Sequence, residues 1–219
     1  MAGKLIIVGM PIGNFGDFSS RALEALKSCE LIICEDTRSN KLFLQNFNIN
    51  KMVISYIGSL EKALYSTQKT IENNQNVALI CDRGMPGVCD PGAKIVDYFR
   101  KINVQITCVP GPSALTTAFA LSGYFGSFVF HGFLPRKSKD ILELVENLSK
   151  LDYNLIFFES PNRMSESLKI LSQILKGREI TIARELTKVY EEVIQGKIED
   201  LINREFKGEC VLIIKKLKN

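Results

Sequence analysis

The sequence predicts an α/β protein of two domains, with a mostly parallel sheet in the first and a mixed sheet in the second. Short apolar runs alternate with amphipathic helical segments through the first half, the pattern of strands joined by helical crossovers. In the second half, short turns as well as helices join the strands, which admits antiparallel pairs. The third observation is the stretch 78–92, Ala-Leu-Ile-Cys-Asp-Arg-Gly-Met-Pro-Gly-Val-Cys-Asp-Pro-Gly. Its apolar run stops at Asp82, and the glycines and prolines that follow continue neither a strand nor a helix. They describe a fixed loop at the end of a buried strand, the place where open α/β sheets bind ligands.

The elements follow in order. Residues 4–8 form a buried strand, and the loop 9–17 leaves it with glycines at 9, 13 and 16 and Pro11 between them. That is not the Gly-x-Gly-x-x-Gly of a dinucleotide fold. Ser19 or Ser20 caps a helix over 21–28 that turns Ala22, Leu23, Ala25 and Leu26 inward. A strand at 31–34 runs into Glu35-Asp-Thr-Arg38, and a helix over 39–47 carries Leu42, Phe43 and Phe47. A strand at 53–57 and a polar-faced helix at 61–73 lead to the strand 77–81 that enters the organising loop. A helix over 92–101 leaves that loop with Ile95, Val96 and Phe99 inward. The strand 104–109 breaks at Pro110-Gly-Pro-Ser-Ala114, where Ser113 caps a helix running to 121.

The second half opens on an aromatic-rich strand at 127–133, followed by Leu134-Pro-Arg-Lys-Ser-Lys139 and a helix to 150. A strand at 154–158 ends in Glu159-Ser-Pro-Asn-Arg163 and a helix to 175. A strand at 179–183 ends in Arg184-Glu-Leu-Thr-Lys188. Segments at 189–195 and 209–214, with a short helix around 198–203 between them, complete the chain. The domains are expected to be 1–115 and 116–219, the first carrying the acidic and Pro/Gly loops.

Composition bounds the function. With 219 residues, 46% hydrophobic and 24% charged, the chain has the make-up of an ordinary soluble protein with room for a substantial core. A net charge of +4 is compatible with an RNA partner without implying one, since nucleic-acid binders concentrate their charge on one face. No apolar run approaches the roughly 18 residues of a membrane span, and Pro11 interrupts the N-terminal one before it reaches signal-peptide length. Cys29, Cys34, Cys81, Cys89, Cys108 and Cys210 include no Cys-x-x-Cys and read as reduced thiols, so a reducing cytoplasm is expected. His131, the one histidine, weakens any zinc site, and within its aromatic strand it reads as a packed core residue. The closing Lys215-Lys-Leu-Lys218 reads as a solvated tail.

In a parallel sheet the loops 9–17, 35–38, 82–92 and 110–114 gather at one edge. They bring Asp17, Glu35, Asp36, Asp82 and Asp90 together, with Arg38 and Arg83 as the cations. A phosphate cradle calls for a glycine-rich helix start with a lysine, and none is present. An acid-lined edge suits a cationic or neutral-polar ligand, such as a nucleoside bearing an amino group or a sulfonium centre.

Seven motifs then occur in order: Val8-Gly-Met-Pro-Ile-Gly-Asn14, Glu35-Asp-Thr-Arg38, Asp82-x-Gly-x-Pro with Asp90-Pro-Gly92, Pro110-Gly-Pro-Ser-Ala114, Gly132-Phe-Leu-Pro135, Phe158-Glu-Ser-Pro-x-Arg163 and Ala183-Arg-Glu-Leu-Thr-Lys188. Each is weak alone; together the chain resembles the ribosomal RNA small subunit methyltransferase I family, of the tetrapyrrole-methylase-like class. The resemblance implies two α/β domains with S-adenosylmethionine in a cleft between them, a homodimer, and 2′-O-methylation of a cytidine in 16S ribosomal RNA of the small subunit. It implies cofactor contacts at Asp82, Gly84, Met85 and Pro86, at Ser113 and Ala114, and near Phe158 and Ala183, with the Pro11 loop closing the cleft. The family usually carries Thr where Met10 stands, Asp-Ala-Gly-Thr-Pro where this chain has Asp82-Arg-Gly-Met-Pro86, and an extension beyond Gly208-Glu209 that is not found here.

For the proton of a ribose hydroxyl, Asp36 and Glu185 are the candidate bases, each beside an arginine, Arg38 or Arg184; structural ion pairing is the alternative. Asp82 either bonds the cofactor or closes an Asx turn. Ser113 has no basic partner near in sequence and reads as a helix cap that touches the cofactor. Arg136, Lys137 and Lys139 are placed to meet RNA phosphates, as are Arg38, Arg163, Arg184 and Lys188. Two other readings stay open: a methylase of the same class acting on a small tetrapyrrole-like substrate, and a non-catalytic ribosome-binding module.

Overall fold

The computed structural model describes residues 3–217; Met1, Ala2, Lys218 and Asn219 lie outside the described residues, and with them the last lysine of the expected tail. The chain divides into two compact units, Met1–Ser113 and Ala114–Asn219.

The first unit contains β1 (Leu5–Val8), α1 (Ser20–Ser28), β2 (Leu31–Cys34), α2 (Thr37–Asn46), β3 (Met52–Ser55), α3 (Leu60–Glu72), β4 (Val77–Leu79), α4 (Gly92–Lys101) and β5 (Ile106–Val109). Its strands pair in the order β3-β2-β4-β1-β5, and every pairing is parallel. Side chains alternate across the sheet. Ile6, Val8, Ile32, Cys34 and Ala78 pack against Ala22 and Leu26 of α1 and Phe43 and Leu44 of α2. Leu5, Leu31, Ile33, Val77 and Leu79 pack against Ala63 and Ile71 of α3 and Ile95 and Phe99 of α4. Both faces are covered, which is why these strands read as unbroken apolar runs.

Caps and turns shift several ends from the expected ones. α2 starts at Thr37 rather than 39 because the Asp36 carboxylate accepts the Arg38 N–H at 2.8 Å. β4 leaves the ladder after Leu79; the Ile80 N–H still reaches the Ile33 carbonyl at 2.9 Å. β5 starts at Ile106 because the Val104 N–H turns back to the Phe99 carbonyl at 3.0 Å. Leu42, expected on the helix over 39–47, is exposed, while Phe43 and Leu44 face the sheet.

The second unit contains α5 (Ala114–Ser122), β6 (Phe128–Phe133), α6 (Ser138–Ser149), β7 (Asn154–Glu159), α7 (Pro161–Leu171), β8 (Glu179–Arg184), β9 (Glu192–Lys197), α8 (Ile198–Leu201) and β10 (Cys210–Ile214). The order is β6-β7-β10-β8-β9, with β6 and β7 parallel and the other pairings antiparallel, a mixed sheet. β10 is buried along its whole length between β7 and β8. One face carries Leu155, Phe157, Ile180, Ile182, Leu212 and Ile214 against α6, α7 and α8.

A β-bulge between Phe130 and Gly132 in β6 corrects the expectation for His131. The extra residue on this edge strand is left outside the ladder, and His131 is exposed rather than packed in the core. The bulge also restores phase, so that Phe133 shares a face with Phe130; their rings lie 5.5 and 4.9 Å from that of Phe158. Among the described residues, no helix is long and apolar enough to cross a membrane.

Asn154, fully buried at the start of β7, donates to the carbonyls of Phe125 at 3.0 Å and Ser127 at 3.1 Å and accepts the Lys216 N–H at 3.1 Å. Replacement Asn154→Ala removes three hydrogen bonds at once, those to the Phe125 and Ser127 carbonyls and that from the Lys216 N–H. Urea unfolding is expected to show a loss of about 2–4 kcal/mol with an unchanged slope. A loss below about 0.5 kcal/mol would show that this network does not hold the edge of the sheet.

Candidate functional site

β1 lies between β4 and β5, so the loops that leave these three strands emerge side by side. Two glycines make room for them. A Cβ on Gly9 would stand 2.5 Å from the Gly111 nitrogen, and one on Gly111 would stand 2.8 Å from the Gly9 Cα. Into the same space comes the Met85 sulfur, which accepts the Gly111 N–H at 3.3 Å. Met10 and Gly84 form an antiparallel bridge, N–H to carbonyl at 2.8 and 3.2 Å in the two directions. Gly84 is at φ +76°, where a side chain would be strained. Pro11 and Pro86 are buried in this knot. The rest of the first loop is clamped by rings, with Phe15 and Phe18 packed edge-on against Phe43 at 5.2 and 4.9 Å.

The carboxylates divide into two groups. Asp90 accepts the N–H groups of Gly87 at 2.7 Å and Gly92 at 2.6 Å, which closes the loop and starts α4; it is a structural turn. Asp82 is tied across the sheet, its Oδ1 accepting the Asn40 side-chain amide at 2.8 Å and the Asp36 N–H at 3.3 Å. Its own N–H points to the Glu35 carboxylate at 3.5 Å. The Glu35 carbonyl accepts the Ser55 hydroxyl at 2.6 Å, so β2, β3 and β4 are stitched together at their ends.

Electrostatics follow from this arrangement. Burial, and then the neighbouring Asp82 carboxylate, raise the proton affinity of Glu35. Asp36 is shifted the other way by the hydrogen bonds from the Arg38 guanidinium and N–H. Its 2.8 Å ion pair with Arg38 is largely exposed. Cys34 and Cys81 are pushed up to about 12 by burial beside these carboxylates, so neither thiol is a nucleophile at neutral pH. The buried Tyr56 hydroxyl, with no hydrogen-bond partner among the described residues, lies by the Gly92 backbone. Among the described residues, no group of three or more His, Cys, Asp or Glu side chains is placed to hold a metal ion.

In the second unit, Phe158 and Ala183 pair with the same residue of β10, Val211, and so lie level on one face of the sheet. Ser113 and Ala114 stand at the last position of the first unit and the first of α5. Of the basic residues expected to meet RNA, Arg136, Lys137 and Lys139 are exposed and Arg38 reaches solvent beside Asp36. The other three are engaged. Arg163 donates to the carbonyls of Leu134 and Pro135 and pairs with buried Glu159 at 3.3 Å. Arg184 pairs with Glu192 at 2.7 Å. Lys188 joins Glu185 at 2.7 Å to Glu209 at 3.0 Å.

Two residues escaped the sequence reading. Asn40, 2% exposed, sits within a helix where an amide reads as surface. Glu159 is also 2% exposed; its oxygens accept the Ser160 N–H and the Ser167 hydroxyl, both at 2.7 Å, as well as meeting Arg163. It thereby joins the Gly132-Phe-Leu-Pro135 turn to the start of α7. Taken together, the first unit offers a rigid edge of backbone with an excess of negative charge around Glu35 and Asp82, able to receive a cationic or amino-bearing ligand.

Comparison with known proteins agrees with this geometry. The family model for Tetrapyrrole (Corrin/Porphyrin) Methylases matches residues 4–202. The Ribosomal RNA small subunit methyltransferase I of Thermotoga maritima is 40% identical over 218 residues, covering 97% of this chain and 98% of that protein. Its namesake from Bacillus subtilis is 37% identical over 223 residues, covering 99% of this chain and 76% of that protein. Among solved structures, diphthine synthase superposes with a TM-score of 0.76 at 16% identity, covering 98% of this chain and 91% of that one. The methyltransferase CobJ gives 0.73 at 16% identity, covering 98% and 95%. These two likenesses speak for the fold; the sequence relatives and the matched model go further, and the chain belongs to the ribosomal RNA small subunit methyltransferase I family of the tetrapyrrole methylases.

Proposed function

We propose that the chain transfers a methyl group from S-adenosylmethionine to the ribose 2′ oxygen of a cytidine in 16S ribosomal RNA of the small subunit. The observation that carries the reading is the acid edge of the first unit, where a desolvated Glu35 stands beside Asp82 on a loop without a phosphate cradle. The substrate class follows the relatives' names; the homodimer, which the motif resemblance implies, and a reducing cytoplasm, which the cysteine pattern suggests, belong to the same proposal. Light scattering of the purified chain is expected to return twice the 24.6 kDa chain mass, and a monomer would remove that part of the reading.

Bound S-adenosylmethionine supplies an electrophilic methyl group carried on a positively charged sulfur. In this reading Gly84, Met85 and Pro86 hold the ligand through backbone, Asp82 through its carboxylate, and Pro11 covers it. Ser113, Ala114, Phe158 and Ala183 complete the contacts. Glu35 and Asp82 match its positive charge. A ribose hydroxyl is a weak nucleophile, so holding it at a near-attack distance of roughly 3–3.5 Å is the main task of the protein. Asp36 is kept ionised by Arg38 and by its place at the start of α2, which makes it a weak proton acceptor, and Glu185 is bound to Lys188. We therefore assign them to positioning, with the hydroxyl proton passing to water, and assign phosphate contacts to Arg38, Arg136 and Lys137.

Incubation of the chain with isotope-labelled S-adenosylmethionine and unmodified small ribosomal subunits is expected to label 16S RNA, with the label recovered as 2′-O-methylcytidine by mass spectrometry. Label on a base, or on no RNA, would overturn the reading. Glu35 gives a second test. Its proton affinity is raised in the fold, so ionising it costs the folded state, and stability falls as pH rises from the ordinary glutamate range through the raised value. Glu35→Gln is expected to remove that slope and raise the thermal midpoint at neutral pH, while weakening S-adenosylmethionine in calorimetry. A variant that binds the cofactor as wild type does would exclude Glu35 as its counter-charge.

A further inference from the structure

The loop joining β8 to β9 is built more firmly than a hairpin connection requires. Glu185 and Thr187 sit at φ +50° and +66°, a region unfavourable to any side chain and most so to a β-branched one. The Glu185 N–H donates to the Glu209 carbonyl at 3.0 Å, and the Lys188 N–H returns to the Glu185 carbonyl at 3.0 Å. The Thr187 N–H meets the Glu191 carboxylate at 2.5 Å. Arg184, at the root of the loop, donates to the Lys207 carbonyl at 3.2 Å. A Cβ on Gly208 would overlap the Glu185 side chain at 2.2 Å, so the neighbouring segment is fitted closely to it. Yet the tip of this braced loop holds Val189 at 94% exposure and Tyr190 at 74%. Strain held in place by so many bonds points to a loop that must present something.

Beside the tip is a pocket of about 240 Å³ lined by Arg184, Glu185, Tyr190, Lys207 and Gly208. It is smaller than the roughly 300–1,000 Å³ of sites for whole cofactors. Glu185 and Glu209 share Lys188, and Arg184 pairs with Glu192, while the exposed Lys207 ammonium is in no ion pair among the described residues. An aromatic face beside one cation is the arrangement that holds single-stranded RNA, base on ring and phosphate on ammonium.

We infer that this pocket is an RNA subsite for one unpaired nucleotide, its base stacked on Tyr190 and its phosphate paired with Lys207. The inference rests on the ribosomal RNA reading and extends it by placing a nucleotide other than the one methylated. The test measures anisotropy of a fluorescent single-stranded cytidine oligonucleotide on the full chain, together with methylation of small ribosomal subunits. Tyr190→Ala is expected to weaken the oligonucleotide by about tenfold and to raise KM for the subunits with kcat kept, while Tyr190→Phe behaves as wild type. Lys207→Ala is expected to lower the salt dependence of binding by about one counterion. Both side chains are exposed, so thermal midpoints stay at the wild-type value. If the wild type labels the subunits but Tyr190→Ala changes neither affinity nor KM, the subsite is wrong and the proposed reaction stands. If the wild type labels no RNA, both are overturned.

Discussion

Because β1 runs between β4 and β5 in a parallel sheet, the three loops that leave these strands must pass through the same few ångströms, and most of the first unit is arranged around that crowding. Gly9 and Gly111 let two backbones touch, the Met85 sulfur fills what space is left, and the Met10–Gly84 bridge ties the first loop to the third. A conventional core makes the sheet possible, but this contact decides the shape of its edge. A methionine at 85 is compatible with that packing because its thioether is flexible and its sulfur accepts a hydrogen bond.

The same edge separates charges that hold the structure from charges that are left over. Asp90 and Asp36 spend their oxygens on backbone N–H groups and an arginine, as carboxylates near helix starts do. Glu35 and Asp82 face one another with an amide and two N–H groups between them, and Glu35 carries the consequence as raised proton affinity. Asp82 has structural work on Asn40 and the Asp36 N–H, whereas the raised proton affinity of Glu35 is what the proposed positively charged ligand would offset.

Much of this was legible in the residues, and the failures have physical causes. The helix read at 92–101 is observed as Gly92–Lys101, and the strand read at 31–34 as Leu31–Cys34, because apolar periodicity and glycine punctuation are local signals. The parallel and mixed sheets followed from the connections. Hidden were the contacts between residues distant in sequence: Asn40 on Asp82, Arg163 on the Pro135 carbonyl, and Arg184 on Glu192. Arg163 and Arg184, which the sequence placed for RNA, are held by these partners. His131 was misplaced because a bulge leaves no mark in composition, and a single extra residue on an edge strand turns a side chain from core to solvent.

The position of β10 bears on how the protein comes into being. The first sheet is complete once Val109 has been synthesised, whereas the second lacks its middle strand until Cys210–Ile214 emerges. During translation one half can therefore close early, while the other waits with β7 and β8 unjoined and their apolar edges open. Half of the structure thus depends on a keystone strand made after all of its neighbours, and a ribosome stalled before Cys210 would hold that half unfinished.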